Sequence, residues 1–231
     1  MSNRIPHISP DATPPEILKA GVAAANGPVS LACSFSVEDV VIIHMAQELA
    51  LPIGVFALDT GRLHEETYEV ADALTERYRL KIDWYYPRHE AVEKLLREKG
   101  TYSFRESLEN RQECCHIRKV EPLGRALKGL AGWITGLRRE QSKTRNGLAP
   151  IELDTANSGI LKINPLLEWT EEQVWQYAKE RRLPVNRLHS QGYPSIGCAP
   201  CTRPVAPGEH PRAGRWWWEN PENKECGLHR K

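Results

Sequence analysis

Val29-Ser30-Leu31-Ala32-Cys33-Ser34-Phe35-Ser36-Val37-Glu38-Asp39-Val40-Val41 is the stretch that decides the fold. Residues 29–33 form a short apolar run of the kind that fills a strand covered on both faces. Residues 34–36 break the run, and from Val37 the apolar residues Val40, Val41, Met45 and Leu49 return at helical spacing. Ser36 stands where a hydroxyl can cap the first amides of that helix, and Asp39 puts a carboxylate into its positive first turn. A buried strand that empties through a serine-rich turn into a capped helix is the repeating unit of an open α/β sheet.

The unit recurs along the chain. Residues 17–25 read as a helix upstream of it. Downstream, Pro52 introduces a strand over 53–58, the turn Asp59-Thr60-Gly61 follows, and a helix runs to about Tyr78. Residues 82–85 read as a third strand and 90–99 as a helix. A long helical stretch is expected from near Glu113 to Leu127, bent near Pro122, and residues 133–136 read as a fourth strand. Thr170 with Gln173 forms a capping box for a helix to about Arg181. This alternation predicts an α/β fold, a mostly parallel sheet with helices on both faces. After Leu183 the composition turns to Pro, Gly and polar residues. Residues 1–184 are therefore read as the α/β core of a single domain, and 185–231 as an irregular lobe and tail ordered by whatever the cysteines bind.

A chain of 231 residues can bury such a core without disulfide stapling. With 31 basic against 30 acidic residues the net charge is +1, so no global field draws nucleic acid or a membrane surface. Basic residues bunch locally, at Arg138, Arg139, Lys143 and Arg145 and again at Arg203, Arg212, Arg215, Arg230 and Lys231, which suits a small anionic ligand. No basic segment followed by a long apolar run marks a secretion signal, and the longest apolar stretch is far too short to span a bilayer. A reducing, cytoplasmic setting is the expectation, and there clustered cysteines mean metal binding or catalysis.

Ligands of open α/β sheets bind at the carboxyl ends of strands. The first such turn, Cys33-Ser34-Phe35-Ser36, offers hydroxyls and helix N-terminal amides to a phosphate-like group, although a capped turn explains it equally well. It lacks the glycine pair typical of ATP-cleaving PP-loop enzymes. The second, Leu58-Asp59-Thr60-Gly61-Arg62, places Asp59 and Thr60 to recognise a nucleoside, with a purely structural turn as the alternative. The third strand end, Thr135-Gly136-Leu137-Arg138-Arg139, offers guanidinium groups to phosphate or sulfate oxygens, unless it is a solvated basic loop.

Five of the six cysteines stand out. Cys114-Cys115 and Cys198-Ala199-Pro200-Cys201 supply four thiolates, a donor set that selects zinc or an iron-sulfur cluster. Adjacent residues on a helix diverge, so Cys114 and Cys115 serve one tetrahedral zinc only with distortion; a larger cluster accepts wider angles. The alternative is an inert, buried Cys115 with zinc elsewhere. Arg118 and Lys119 stand within a turn of the pair, where their charge would offset the thiolates. Cys226, in Glu225-Cys226-Gly227-Leu228-His229, is read as the reactive thiol, its thiolate favoured by His229, Arg230 and Lys231; the alternative is an incidental terminal cysteine, against which the company of Arg212, Arg215 and His229 weighs. Trp216, Trp217 and Trp218 are read as packing anchors for this tail, and Cys33 as core.

Together these motifs resemble the assimilatory adenylylsulfate reductases, the iron-sulfur branch of the phosphoadenylylsulfate reductase family. The resemblance spans residues 34–229 and rests on Ser34-Phe35-Ser36-Val37-Glu38-Asp39, Leu58-Asp59-Thr60-Gly61-Arg62, Cys114-Cys115-His116-Ile117-Arg118-Lys119, Thr135-Gly136-Leu137-Arg138-Arg139, Asn164-Pro165-Leu166, and the two C-terminal cysteine motifs in this order. It implies an adenine-nucleotide α-hydrolase-like fold, a homo-oligomer, and a 4Fe-4S cluster on Cys114, Cys115, Cys198 and Cys201. It further implies reduction of adenosine 5′-phosphosulfate to sulfite and AMP, with thioredoxin as electron donor and Cys226 as nucleophile. Lys119, Arg212, Arg215 and His229 would neutralise the phosphosulfate, and residues 34–36, 58–62, Gly136 and Arg138 would complete the substrate site. Two rivals stand beside it: a PP-loop ATP pyrophosphatase that thiolates tRNA, and a zinc-stabilised nucleotide-binding module.

Overall fold

The structure, a computed structural model, describes residues 5–141 and 147–220. In chain order its regular elements are α1 (Pro14–Ala24), β1 (Val29–Cys33), α2 (Val37–Glu48), β2 (Ile53–Leu58), α3 (Glu65–Tyr78), β3 (Ile82–Tyr85) and α4 (His89–Lys99), followed by α5 (Leu108–Cys115), α6 (Glu121–Leu127), β4 (Gly132–Ile134), β5 (Ile151–Asp154), β6 (Ile160–Ile163) and α7 (Glu171–Glu180). The six strands form one sheet in the order β3-β2-β1-β4-β6-β5. Every pairing is parallel except that of β5 with β6. The chain winds outward from β1 in one direction through β2 and β3, and in the other through β4 and β6. The switch point therefore lies between β1 and β4, where this class of sheet opens a crevice for ligands.

α2 shows why the opening stretch carries the fold. All ten residues from Val37 to Ala46 are buried, polar ones included, so the helix meets solvent only at its C-terminal end. It lies among β1, α1 and α7. Burial of side chains such as Val40, Val41, Ile42 and Leu31 contributes about 1.5–3 kcal/mol each. Ser36 caps α2 by accepting from the Asp39 amide at 3.4 Å.

Three features depart from the sequence reading. The hairpin β5–β6 was not expected: half of β5 is acidic (Glu152 and Asp154) and Lys162 interrupts β6, so neither reads as a continuous apolar run. The helix expected from near Glu113 starts earlier, at Leu108, capped by Ser107. The third is the irregularity in that helix, which is a π turn over His116–Val120, before Pro122. Pro122 sits in the first turn of α6. In a regular α-helix its ring would press on the carbonyl four residues back, and the wider π turn relieves that contact. Beyond Glu180 the described chain holds only short 3-10 turns and irregular segments. No helix among the described residues is long and apolar enough to cross a membrane.

Candidate active site

A cavity of about 450 Å³ opens at the carboxyl ends of β1, β2 and β4. The turn after β1 forms its floor. Phe35 holds a left-handed backbone (φ 61°), unusual for a bulky residue, and its ring stacks on Trp84 at a centroid distance of 5.4 Å. Asp39 fixes the turn, its Oδ2 accepting from the Ser34 amide at 2.7 Å and the Ser34 hydroxyl at 2.8 Å. Burial pushes the Asp39 carboxyl up to about 6 even though these bonds oppose it. Ser34, Phe35 and Ser36 all line the cavity.

The turn after β2 divides. Leu58 and Thr60 line the cavity, whereas Asp59, Gly61 and Arg62 are placed behind it. Asp59 is spent on structure, accepting from the Gly61 amide at 2.7 Å and the Tyr68 hydroxyl at 2.9 Å. Gly61 takes φ 68° to close the turn. Arg62 turns the other way, donating to the Thr101 carbonyl at 2.9 Å and lying over the Phe104 ring. The expected nucleoside contact from Asp59 thus yields to a turn-building role.

After β4, Gly136 packs so closely on Glu38 and Asp39 that a Cβ there would collide with both. This brings Arg138 into the cavity wall, where Nε donates to Glu38 Oε1 at 2.9 Å. Gln141 Nε2 reaches the same Glu38 oxygen at 2.8 Å. Arg139 faces outward to Glu168. Lys119, Arg212 and Arg215 complete the cationic side of the cavity. Among the lining residues that sequence reasoning missed are Asn186, His189 and His210. They lie in the irregular lobe, where no periodicity singles out an isolated polar residue. His189 Nδ1 stands 2.8 Å from the Tyr193 carbonyl, which can only accept, so Nδ1 carries the proton. Burial lowers the pKa of this imidazole, against the Tyr193 carbonyl and the charges of Glu38 and Glu171.

Cys114, Cys115, Cys198 and Cys201 line one small pocket of about 20 Å³ together with Arg62, Arg111, Arg118, Lys119, Arg215 and Trp216. None of the five described cysteines forms a disulfide, and Cys33 is buried in the core. Thr60 Oγ1 stands 3.3 Å from Cys198 Sγ, and Arg118 donates to the Thr60 carbonyl at 2.5 Å. The four thiols are not alike. Burial pushes Cys114 up, and Cys201 up to about 12. Burial acts on Cys198 too, but Lys119, the Thr60 hydroxyl, Arg215 and Arg118 outweigh it and bring this thiol below its ordinary value. Among the described residues, no three His, Cys, Asp or Glu side chains converge on a point that would hold a single ion. Lys119, Cys198, Arg215 and Trp216 line both pockets. Cys226, His229, Arg230 and Lys231, like Lys143 and Arg145, lie outside the described residues.

A cationic cavity at the switch point of a parallel sheet, walled off from a four-thiol pocket by shared side chains, defines an adenine-nucleotide α-hydrolase-like protein equipped for sulfur chemistry. The model of the phosphoadenosine phosphosulfate reductase domain matches residues 28–204. The adenosine 5′-phosphosulfate reductase of Burkholderia cepacia is 50% identical over 214 residues, 93% of this chain and 85% of that protein. A solved phosphoadenylyl-sulfate reductase from Candida auris, in a phosphate complex, shares the architecture at TM-score 0.72 and 29% identity, over 84% of this chain and 91% of that one. Yeast FAD synthetase shares the fold at TM-score 0.52 and 16% identity, over 78% of this chain and 59% of that one. The chain belongs to the phosphoadenosine phosphosulfate reductase family, enzymes that are oxidoreductases of sulfur groups. Membership in this family sets aside the tRNA-thiolating and zinc-module rivals.

Proposed function

We propose that the enzyme reduces adenosine 5′-phosphosulfate to sulfite and AMP, with thioredoxin as reductant, in the assimilation of sulfate. The observation that carries the reading is the wall shared by the two pockets. Lys119 and Arg215 stand between a cavity of nucleotide size and a set of four cysteines. The names of the relatives support the same substrate class.

In this reading residues 34–36, Leu58, Thr60 and Gly136 hold the adenosine part, and Arg138, Lys119, Arg212 and Arg215 neutralise the phosphosulfate, with His229 joining them from the tail. The Cys226 thiolate attacks the sulfate sulfur; a sulfur–sulfur bond forms, the sulfur–oxygen bond to the phosphate breaks, and AMP leaves with that electron pair. A thioredoxin thiolate then attacks the Cys226 sulfur. Sulfite departs with the two electrons, and the second thioredoxin thiol resolves the mixed disulfide and returns Cys226 to its thiolate. A reducing cytoplasm, in which thiols stay available, is the compartment this chemistry needs, and a homo-oligomer is the assembly the family resemblance favours.

Cys114, Cys115, Cys198 and Cys201 fit a 4Fe-4S cluster by donor chemistry. They are four soft sulfurs on one pocket, with Arg118 and Lys119 near enough to offset thiolate charge. A bound cluster supplies a fixed, polarisable charge beside the substrate site, while the electron balance above closes on thiols alone.

The test is sulfite and AMP release from adenosine 5′-phosphosulfate and from its 3′-phosphorylated form, with iron quantified in the same sample. Equal sulfite and AMP from the first, and roughly tenfold slower turnover of the second, are expected. Cleavage of ATP in place of sulfite release would refute the reading.

A further inference from the structure

The short turn Arg187–Gln191 is fixed at both ends. Asn186 caps it, its Oδ1 accepting from the Leu188 amide at 3.0 Å, and the Leu188 side chain is buried. Gly192 leaves the turn through a left-handed backbone (φ 85°), and the Tyr193 amide returns to the Leu188 carbonyl at 3.1 Å. His189 stands in the middle, its ring set by two contacts. Nδ1 donates to the Tyr193 carbonyl at 2.8 Å, and the ring meets Trp175 edge-on with 5.0 Å between centroids. The other nitrogen, Nε2, is closed off from water and has no hydrogen-bond partner among the described residues. Burial lowers the pKa of the ring, which is therefore neutral at neutral pH; with the proton on Nδ1, the lone pair stands on Nε2. A buried acceptor without a donor is destabilising, and folded proteins rarely keep one without a use.

His189 and Trp175 both line the substrate cavity. The charged side chains that act on the ring, Glu38 and Glu171, are acidic and line the same cavity. Carboxylates and an imidazole lone pair only accept, so this end suits a neutral group with protons to give. The anionic part of the substrate belongs with Lys119, Arg212 and Arg215. One strip of backbone ties the two ends together: the Tyr193 carbonyl holds His189, and the Ile196 carbonyl accepts from Arg215 at 3.1 Å. Three residues span at most about 11 Å, which is of the order of the reach from a ribose hydroxyl to the far end of a 5′-phosphosulfate. In a nucleotide whose phosphosulfate lies on Arg215, the ribose is the part that comes to His189. We propose that His189 is a specificity-determining substrate contact, whose Nε2 accepts a hydrogen bond from one of the two ribose hydroxyls. The inference rests on the reading of the cavity as a nucleotide site of a sulfite-releasing enzyme, and its test keeps the two apart.

The holoenzyme and its His189→Asn variant are compared through the dissociation constants of AMP, 2′-deoxy-AMP and 3′-deoxy-AMP, with iron per chain and the urea midpoint as checks on folding. The asparagine amide nitrogen falls where Nδ1 stood, which keeps the bond to Tyr193, and no atom takes the place of Nε2. In the parent, one of the two deoxy nucleotides should bind about tenfold more weakly than AMP. In His189→Asn, AMP itself should bind about tenfold more weakly, and removal of the same hydroxyl should cost less than about twofold further. Where His189→Asn does not fold, His189→Phe carries the same comparison, since it keeps a ring against Trp175 and removes Nε2. A role in folding alone would weaken all three nucleotides by one factor and leave the hydroxyl preference intact, which overturns the contact. So does a parent that binds all three alike, or a folded variant that binds AMP as the parent does. A parent that shows the predicted preference and releases no sulfite overturns the functional reading and leaves the contact standing. A parent that binds none of the three overturns both.

Discussion

Lys119 and Arg215 face two pockets at once, which makes each answerable to two chemistries. Loss of a preorganised donor at a site of developing negative charge typically costs about 3 kcal/mol. Lys119→Ala and Arg215→Ala are therefore expected to lower kcat/KM by roughly 100-fold each, measured as sulfite release. Arg139→Ala, a residue turned outward to Glu168, should change it by less than about threefold. Asp39 carries a pH prediction whose sign is opposite to that of a salt-bridged carboxylate. Its folded pKa is raised to about 6, above the roughly 3.9 of an unfolded aspartate, so the folded state holds the proton more tightly. No penalty exists below pH 4. It grows as the pH rises through that window and is complete above about pH 6, where it amounts to roughly 3 kcal/mol. Relative to Asp39→Asn, the parent should lose stability between pH 4 and pH 7 in urea titrations. A constant difference across that range would show that the folded-state pKa of this carboxyl is not raised.

The π turn at His116–Val120 is the element on which the cysteine pocket depends, because it comes directly after the adjacent pair Cys114-Cys115 and precedes Pro122. Removing one residue from a helix rotates the downstream segment by about 100° relative to the upstream one. Deletion of Ile117 should let the segment regularise, swing Cys114 and Cys115 away from Cys198 and Cys201, and reduce bound iron to below about a tenth of the parent's while far-ultraviolet dichroism stays helical. Full iron retention would show that the π turn does not set the cysteine register. The cap of α2 offers a milder test: Ser36→Ala should cost about 1 kcal/mol in chemical denaturation, since one amide at the buried start of the helix loses its acceptor. At this scale the sequence was readable where elements were long or capped. α2 and α7 announced themselves through Ser36 and the Thr170–Gln173 box. β5 and β6 did not, because Glu152, Asp154 and Lys162 interrupt their apolar runs, and Asn186, His189 and His210 did not, because an irregular lobe has no period.

Across the whole molecule, the sheet supplies a switch point, the lobe after Glu180 closes over it, and four cysteines distant in sequence meet beside it. Much of this was legible in advance, since a strand–turn–helix unit repeated along a chain admits few topologies. The convergence of residues 114–115 with 198–201 was not a matter of period at all; it was suggested by the chemistry of four thiols as soft donors to one centre. What the fold adds is the sharing of Lys119, Cys198, Arg215 and Trp216 between two pockets, which no spacing in the sequence expresses. The proposed mechanism stands on Cys226 receiving the sulfonate while the other four thiols stay bound to iron. Its most direct test is the intact-protein mass spectrum after one turnover of adenosine 5′-phosphosulfate without thioredoxin, on parent and Cys226→Ser side by side. One SO3 group on the parent, mapped to Cys226, and none on the variant is the expected result; the same adduct on Cys226→Ser would contradict it.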